Sequence, residues 1–466
     1  MFNAGQRGFF LQSASTPTIA RTETTGRSLI LMRYGDEGLQ AGIKALRDTA
    51  GLNTVRVQEL HDGISMAALA PSEAMMLDSI GVAVVNGDPD QVGRLSIQAT
   101  RSDSILAVEP ERVVYAAMLP EFVGTSGRPA LAGAPAAGMN PDYLRGYRDG
   151  FDHAASLGFA GGGDPSSAGR AAAVAAFNEA LNTWGLQATR VIESSWNGSG
   201  IKVAVLDTGF EFTHPDFAGR AIVPQSFVQG ELPQDTLGHG THCVGTSMGP
   251  FRPGTLPRYG ISYNADIYVG KVLNRLGRGG DGDILAGINW AVRNKCRVIS
   301  MSLGAPVAPG QKPSTVFENM ARRALASGTL IVAAAGNDSR RDLAPPVIAP
   351  VSHPANCPSI MAVAAVDSSF RIAPFSNSGI EPNGGQVDIA GPGVDVYSSW
   401  LMPQQYNVIS GTSMATPHVA GIAALHAQAN PGISAVDLWT RLVKTARPLG
   451  LSAADVGSGL VQAPVM

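Results

Sequence analysis

Apolar residues in the second half of this chain gather into short, dense runs. IKVAVLD (201–207), DIYVGKVL (266–273), CRVISMSL (296–303), TLIVAAAG (329–336) and SIMAVAAV (359–366) are almost continuously hydrophobic. That pattern predicts strands covered on both faces. Between them, residues 283–294 and 314–327 place apolar side chains at helical spacing. Strands alternating with helices predict an α/β domain, a mostly parallel sheet with helices on both faces, and functional side chains at the strands' carboxyl ends. The first quarter differs. SLILMRY, GVAVVNG and ILAVEPERVVYA (105–116) read as strands, while residues 39–48 and 72–79 carry helical patterns, which predicts a small α+β unit. Residues 117–180 are rich in Gly, Ala and Pro and suit an exposed connector, with an Ala-rich helix expected over 167–182. The expected division is an N-terminal extension (1–27), the α+β unit (28–116), the connector (117–183) and the α/β domain (184–466).

Composition narrows the function classes. Hydrophobic residues make up 44% and charged residues 15% of 466, enough apolar material for a large core. The formal net charge is -3 and no basic stretch stands out, so neither nucleic acid nor an anionic membrane is an expected partner. No apolar run reaches the length of a spanning helix, and the patch Gly8-Phe9-Phe10-Leu11 is short for a signal-peptide core. The expected compartment is cytoplasmic by default, or extracellular if the start is misassigned or export is non-classical. Three cysteines, Cys243, Cys296 and Cys357, allow at most one disulfide.

Candidate chemistry starts at VAVLDTG (203–209), where Asp207 follows a predicted strand. Asp-Thr-Gly serves aspartic proteases, which need two such carboxylates, yet no second DTG or DSG occurs in the chain. An aspartate at a strand end also orients the histidine of a serine-protease triad, and Asp-Gly spacing is ordinary turn chemistry as well. Two further segments decide between these. DTLGHGTHCVGT (235–246) contains His239, His242 and Cys243, and GTSMATPHVAGIAAL (411–425) contains Ser413 at the head of an apolar helix, with Pro417 expected in its first turn. His239, His242 and Cys243 lack the HExxH spacing and a completing ligand for zinc. Gly245-Thr246-Ser247-Met248-Gly249 matches the nucleophile elbow of lipases, but Ser247 falls late in a helix rather than between strand and helix.

The three segments resemble the subtilisin family, in particular its proteinase K-like branch, over residues 184–466. The order Asp, His, Ser is the one named for subtilisin. The resemblance implies a serine endopeptidase in which Ser413 is the nucleophile, His239 the general base and Asp207 the group that orients it. Asn337, after TLIVAAAG, would sit in the oxyanion hole. Activity should then fall as His239 protonates. Gly277, Arg278 and Gly279 on one side, and Ser302, Leu303 and Gly304 on the other, would line an extended peptide. Ala334, Ala335 and Gly336 would wall the pocket for the residue before the scissile bond, with Ser352 and His353 at its far end. Small walls imply room for a sizeable apolar or aromatic side chain, and Arg278 would favour acidic residues further along. Cys243 would be a buried free thiol beneath the triad; His242 and His418 would serve packing.

No catalytic cofactor is implied. A structural calcium would use the Asp388 carboxylate with carbonyls of Pro358 and Ile360, in PANCPSI and QVDIAGPG. Asp216 matches another calcium position of the family, but the loop after it lacks the asparagine-rich ligand pattern, so no ion is expected there. ILAVEPERVVYA is similar to the last strand of a subtilase prodomain, with Arg112 where the family has aspartate. This implies a zymogen with its own prodomain as partner in cis, besides peptide or protein substrates. Processing would fall near residues 115–118, inside 117–183, or nowhere. The rival functions are a non-catalytic peptide-binding relative and an enzyme dedicated to processing, or transferring peptides on, one partner.

Overall fold

The structure, a computed structural model, describes residues 23–56, 69–117, 177–381 and 384–465. The expected connector therefore lies largely outside the described residues, as does most of the helix expected at 167–182. Residues 177–183 carry no helix and belong to the folded body: Phe177 packs on the Trp184 and Phe370 rings, and Thr183 N–H donates to Arg258 O at 3.0 Å. Among the described residues, no helix is long and apolar enough to cross a membrane.

The N-terminal unit is α+β. Strands β1 (Thr24–Met32), β2 (Asn53–Arg56), β3 (Glu73–Leu77), β4 (Val82–Asn86) and β5 (Ile105–Ala116) form a sheet in the order β5-β1-β4-β3-β2. Helices α1 (Asp36–Ala50) and α2 (Pro89–Ala99) cover one face. Residues 73–77, expected to be helical, form a strand instead. Glu, Ala, Met and Leu favour helices, but β3 runs between β2 and β4, and Ala74, Met75, Met76 and Leu77 are all buried there. Pairing on both sides outweighs a local preference of tenths of a kcal/mol per residue.

Side chains alternate across this sheet as strand geometry requires. Ile30, Met32, Met76 and Val85 face α1 and α2. Leu29, Leu31, Met75, Leu77, Val82 and Val84 face the other way, into a core shared with helices α5 (Asp281–Arg293) and α6 (Thr315–Ala326) of the larger domain. Arg323 of α6 crosses this junction and donates to the carbonyls of Met32 (2.7 Å), Ile80 (2.6 Å) and Gly81 (3.1 Å).

The larger domain is built on a seven-stranded parallel sheet. Its strands are β6 (Lys202–Asp207), β7 (Ile222–Ser226), β8 (Asp266–Lys271), β10 (Val298–Met301), β12 (Leu330–Ala334), β13 (Met361–Val366) and β14 (Ile389–Pro392), in the order β14-β13-β12-β10-β6-β8-β7. Alternate residues of the central strands enter two cores: Ala204, Leu206, Ile299 and Met301 face α5 and α6. Val203, Val205, Val298 and Val332 face α4 (His239–Met248) and α7 (Thr412–Ala429). The short helices α3 (Trp184–Ala188) and α8 (Ala435–Thr445) and the hairpin β15 (Val396–Ser399) and β16 (Tyr406–Ile409) complete the periphery. From β6 the chain goes to the outer strand β7 and returns to β8 on one side, and from β10 it progresses the other way through β12, β13 and β14. The sheet's switch point thus lies between the carboxyl ends of β6 and β10, where α/β proteins place their sites.

Two short strands, β9 (Arg278–Gly280) and β11 (Leu303–Gly304), stand outside that sheet. They pair antiparallel with the two edges of β5.

Candidate active site

Asp207 ends β6 and is 1% exposed. Its Oδ1 accepts from Thr208 N–H at 2.7 Å and lies 2.8 Å from His239 Nδ1, which fixes that ring nitrogen as the donor. His239 opens α4 after Gly238, whose φ of 96° suits glycine. A second aspartate sets the turn. Buried Asp235 accepts from Thr208 Oγ1 (3.0 Å), Leu237 N–H (2.9 Å), Gly238 N–H (3.0 Å), Thr241 N–H (2.9 Å) and Thr241 Oγ1 (2.7 Å). Five donors on one carboxylate lock the β6 exit to the start of α4, so the imidazole cannot drift from Asp207 without breaking them. The sequence reading passed over Asp235; its signal was an aspartate two and three residues before backbone amides that needed an acceptor.

Ser413 is the second residue of α7 and is fully buried. Pro417 lies in the second turn of that helix, not the first as expected. A proline four residues on removes the N–H that would bond Ser413 O. Ser302 replaces it, its Oγ donating to Ser413 O at 2.7 Å, and the Cys243 thiol approaches the same carbonyl at 3.6 Å. The nucleophile candidate is thereby tied to the end of β10 rather than only to its own helix. Burial, then the Asp207 charge, pushes the Cys243 thiol well up, so it stays protonated. Asp207, His239 and Cys243 bring ligand atoms within 4.8 Å of one another, but a protonated thiol and a carboxylate already bonded to the imidazole make a poor metal site. His242 turns away, its Nε2 donating to Val396 O at 2.9 Å; burial lowers it to about 3. His418 is likewise neutral, lowered by burial to about 4. All three cysteines are free and buried. Ser247 is the ninth residue of the ten in α4 and buried, which removes the lipase elbow.

Asn337 follows β12. Its Oδ1 accepts from Thr412 N–H at 2.9 Å and Thr412 Oγ1 at 2.8 Å. Both donors on one side assign the amide orientation and leave Nδ2 to donate to Ala117 O at 2.6 Å. The Ser413 hydroxyl reaches the same Ala117 carbonyl at 2.6 Å and lies 3.2 Å from Ser302 O. His239 Nε2 has no hydrogen-bond partner among the described residues. Gly411 allows this approach: a Cβ there would stand 3.0 Å from Ala117 O and 3.2 Å from Asn337 Nδ2.

Ala117 directly follows β5, whose tail lies between the segments expected to line a peptide. Val113, Val114 and Tyr115 pair with Gly280, Gly279 and Arg278; Ala116 and Tyr115 pair with Leu303 and Gly304. Ala116 N–H donates to Gly277 O at 2.8 Å and Ala117 N–H to Ser302 O at 3.1 Å. Gly277–Gly279 and Ser302–Gly304 are therefore brought together around one strand. Ala334 and Ala335 end β12 in the interior, and Gly336 has no room for a side chain because Ser352 Oγ and Asn377 Nδ2 would lie 2.3 Å from its Cβ. Ser352 donates to Asp338 at 3.2 Å. His353 points elsewhere than expected, its Nε2 lying 2.9 Å from Asp281 Oδ1 at the start of α5.

Two glutamates of β5 hold helix starts of the larger domain. Glu111, fully buried, accepts from Gly282 N–H at 2.7 Å and from Arg27 Nε at 2.5 Å. Glu109 accepts from Thr315 N–H at 2.6 Å and Ser314 Oγ at 2.5 Å. Anions at helix N-termini are stabilised by the unpaired amides and the dipole.

The calcium expectation meets a mixed donor set. Burial pushes the Asp388 carboxyl up to about 7, and one of its oxygens accepts Ala362 N–H at 2.8 Å. A desolvated carboxylate of this kind gains from a cation, which fits, although among the described residues Asp388 belongs to no cluster of three or more His, Cys, Asp or Glu side chains of metal-binding size. Asp216 needs no ion: Tyr259 Oη (2.6 Å), Tyr406 Oη (3.2 Å) and Gly254 N–H (2.7 Å) donate to it.

The parallel α/β sheet carries a buried Asp207–His239 pair at the end of β6, and Ser413 at the head of α7 lies against the end of β10. Residues 198–460 match the Subtilase family, so the chain belongs to that family and is a subtilisin-type serine endopeptidase. It is 40% identical to Subtilisin BL of Lederbergia lenta over 284 residues, 60% of this chain and 96% of that protein. It is 40% identical to an alkaline protease of Alkalihalobacillus alcalophilus over 284 residues, 60% of this chain and 68% of that one. With Subtilisin DY of Bacillus licheniformis it shares 38% over 277 residues, 59% of this chain and 94% of that protein.

Proposed function

We propose that the protein is a zymogen that cuts its own chain after Ala117, and that residues 28–116 are an inhibitory prodomain seated in the active site. One observation carries this reading: the Ala117 carbonyl, at the end of a strand paired on both edges, accepts from Asn337 Nδ2 and from the Ser413 hydroxyl. That is where a scissile carbonyl belongs relative to a nucleophile and an oxyanion donor.

In this mechanism rotation about the Ser413 Cα–Cβ bond exchanges the carbonyl hydrogen bond for one to His239 Nε2. The Oγ–H proton passes to Nε2 as Oγ bonds the Ala117 carbonyl carbon. Asp207 holds Nδ1–H and stabilises the imidazolium. Negative charge on the carbonyl oxygen is met by Asn337 Nδ2 and the Ser413 N–H. The C–N bond to residue 118 breaks, Nε2 gives its proton to the leaving amine, and water then hydrolyses the acyl-enzyme by the reverse roles. Substrates follow the path of β5, with main-chain bonds to Gly277–Gly279 and Ser302–Gly304, and an apolar residue precedes the cut, as Ala117 does. Asp388 would be the carboxylate ligand of a structural calcium, which would keep that carboxylate ionised.

Mass spectrometry of the purified protein tests the reading. The wild-type chain should give a fragment ending at Ala117 and another beginning at Met118, whereas Ser413→Ala should stay intact at 48.2 kDa. Identical processing of Ser413→Ala, or a wild-type cut elsewhere, would refute self-cleavage at this bond.

A further inference from the structure

Strand β5 shows how the third residue before the cut is held. Tyr115 lies opposite Arg278 on one flank and Gly304 on the other. Glycine offers no side chain, so the side chain directly opposite Tyr115 on the flanking strands is that of Arg278. The guanidinium carbon stands 5.3 Å from the ring centroid, within cation–π range, and Nη2 lies 3.4 Å from Tyr115 Oη. Glu23, just before β1, completes the group: it accepts from Tyr115 Oη at 2.5 Å and from Arg278 Nη2 at 2.7 Å. Arg278 belongs to the larger domain, whereas Tyr115 and Glu23 leave with the N-terminal unit. Even in their presence the Arg278 side chain is 42% exposed, so on release its ring-sized face opens to an incoming strand.

We propose that Arg278 forms a subsite selecting an aromatic side chain, tyrosine foremost, three residues before the cut, and disfavouring lysine or arginine there. The inference rests on the reading that substrates follow β5 in its register. Tyr115 fills the subsite in the zymogen, and Glu23 keeps Arg278 neutralised until the N-terminal unit departs. The acidic preference expected at Arg278 from sequence thus becomes a property of the closed state, supplied by Glu23. In the open enzyme the ring face is what a strand in this register presents to the guanidinium.

Quenched-fluorescence peptides containing Val-X-Ala-Ala-Met, with X as Tyr, Ala, Glu or Lys, test this on the processed wild-type enzyme. An exposed cation–π contact predicts kcat/KM for Tyr roughly threefold to fivefold above Ala, with Lys below Ala. In Arg278→Ala the Tyr-to-Ala ratio should fall to about one, whatever the absolute rates. Product masses separate two failures. Cutting anywhere but after the second alanine overturns the register and the subsite together. Cutting there with a Tyr-to-Ala ratio near one, with Glu preferred to Tyr, or with the Tyr preference intact in Arg278→Ala, overturns the subsite alone.

Discussion

The hydrogen bond from Ser302 to Ser413 O exists because Pro417 cannot supply one. If that is right, the two positions are energetically coupled although they lie on different elements. Consider Ser302→Ala in a Ser413→Ala background, which keeps the carbonyl and removes the candidate nucleophile. The change removes the 2.7 Å donor and leaves a buried carbonyl facing only a thiol at 3.6 Å. Stranding a buried acceptor costs about 1–3 kcal/mol. Pro417→Ala restores an N–H four residues on, in a helix whose first sixteen residues are buried, so Ser413 O regains an intrahelical partner. In that background Ser302→Ala should cost less than about 0.5 kcal/mol, and the coupling should be about 1–2 kcal/mol. Urea unfolding of the four chains, followed by tryptophan fluorescence, gives the cycle. An equal cost of Ser302→Ala in both backgrounds would show that the proline does not create the need for Ser302.

Asn337→Ala should lower kcat about 100- to 1000-fold with little change in KM, because its amide serves the charge that develops on the carbonyl oxygen; a change confined to KM would contradict that role. Stability should also depend on pH between about 4 and 6.5. His242 and His418 are lowered to about 3 and about 4, so in this window the unfolded chain binds more protons at these positions and stability rises with pH, by about 1.4 kcal/mol per unit for each. Asp388, raised to about 7, has the opposite sign there: the folded chain holds its proton longer, and stability falls as pH rises towards 7. Asp388→Asn should therefore steepen the rise with pH in urea titrations, and calcium should steepen it in the wild type but not in the variant; a slope unaffected by Asp388→Asn would rule out its raised pKa.

Much of this architecture is legible along the chain because it rests on local regularities. Central strands of a parallel sheet are buried on both faces, so β6, β10, β12 and β13 appear as unbroken apolar runs, and Asp207 falls where such a run stops. Helix α2 was equally legible yet passed over: Asp88, Pro89 and Gln91 form a capping box with proline in the first turn. Other features have no local signature. Strand β3 is made of helix-favouring residues and is decided by its neighbours. Glu109 and Glu111 cap helices some two hundred residues away in sequence, and Ser302 answers a proline more than a hundred residues on. His353 lay in the expected pocket until packing turned it to Asp281.

The cleft between β9 and β11 takes one strand between two borders, the place held by the tail of β5. Each bordering strand is only two or three residues long, so each grips only two or three residues of the strand between them, as with residues 113–116 of β5. What fits is a single ribbon of about five residues, stretched to roughly 16 Å at strand rise and bare on both sides. A helix, or a strand flanked on both edges within its own sheet, cannot present that. On the reading that substrates follow β5, susceptibility to this enzyme would report on local unfolding, with a target's fraying ends and loose loops deciding where it is cut.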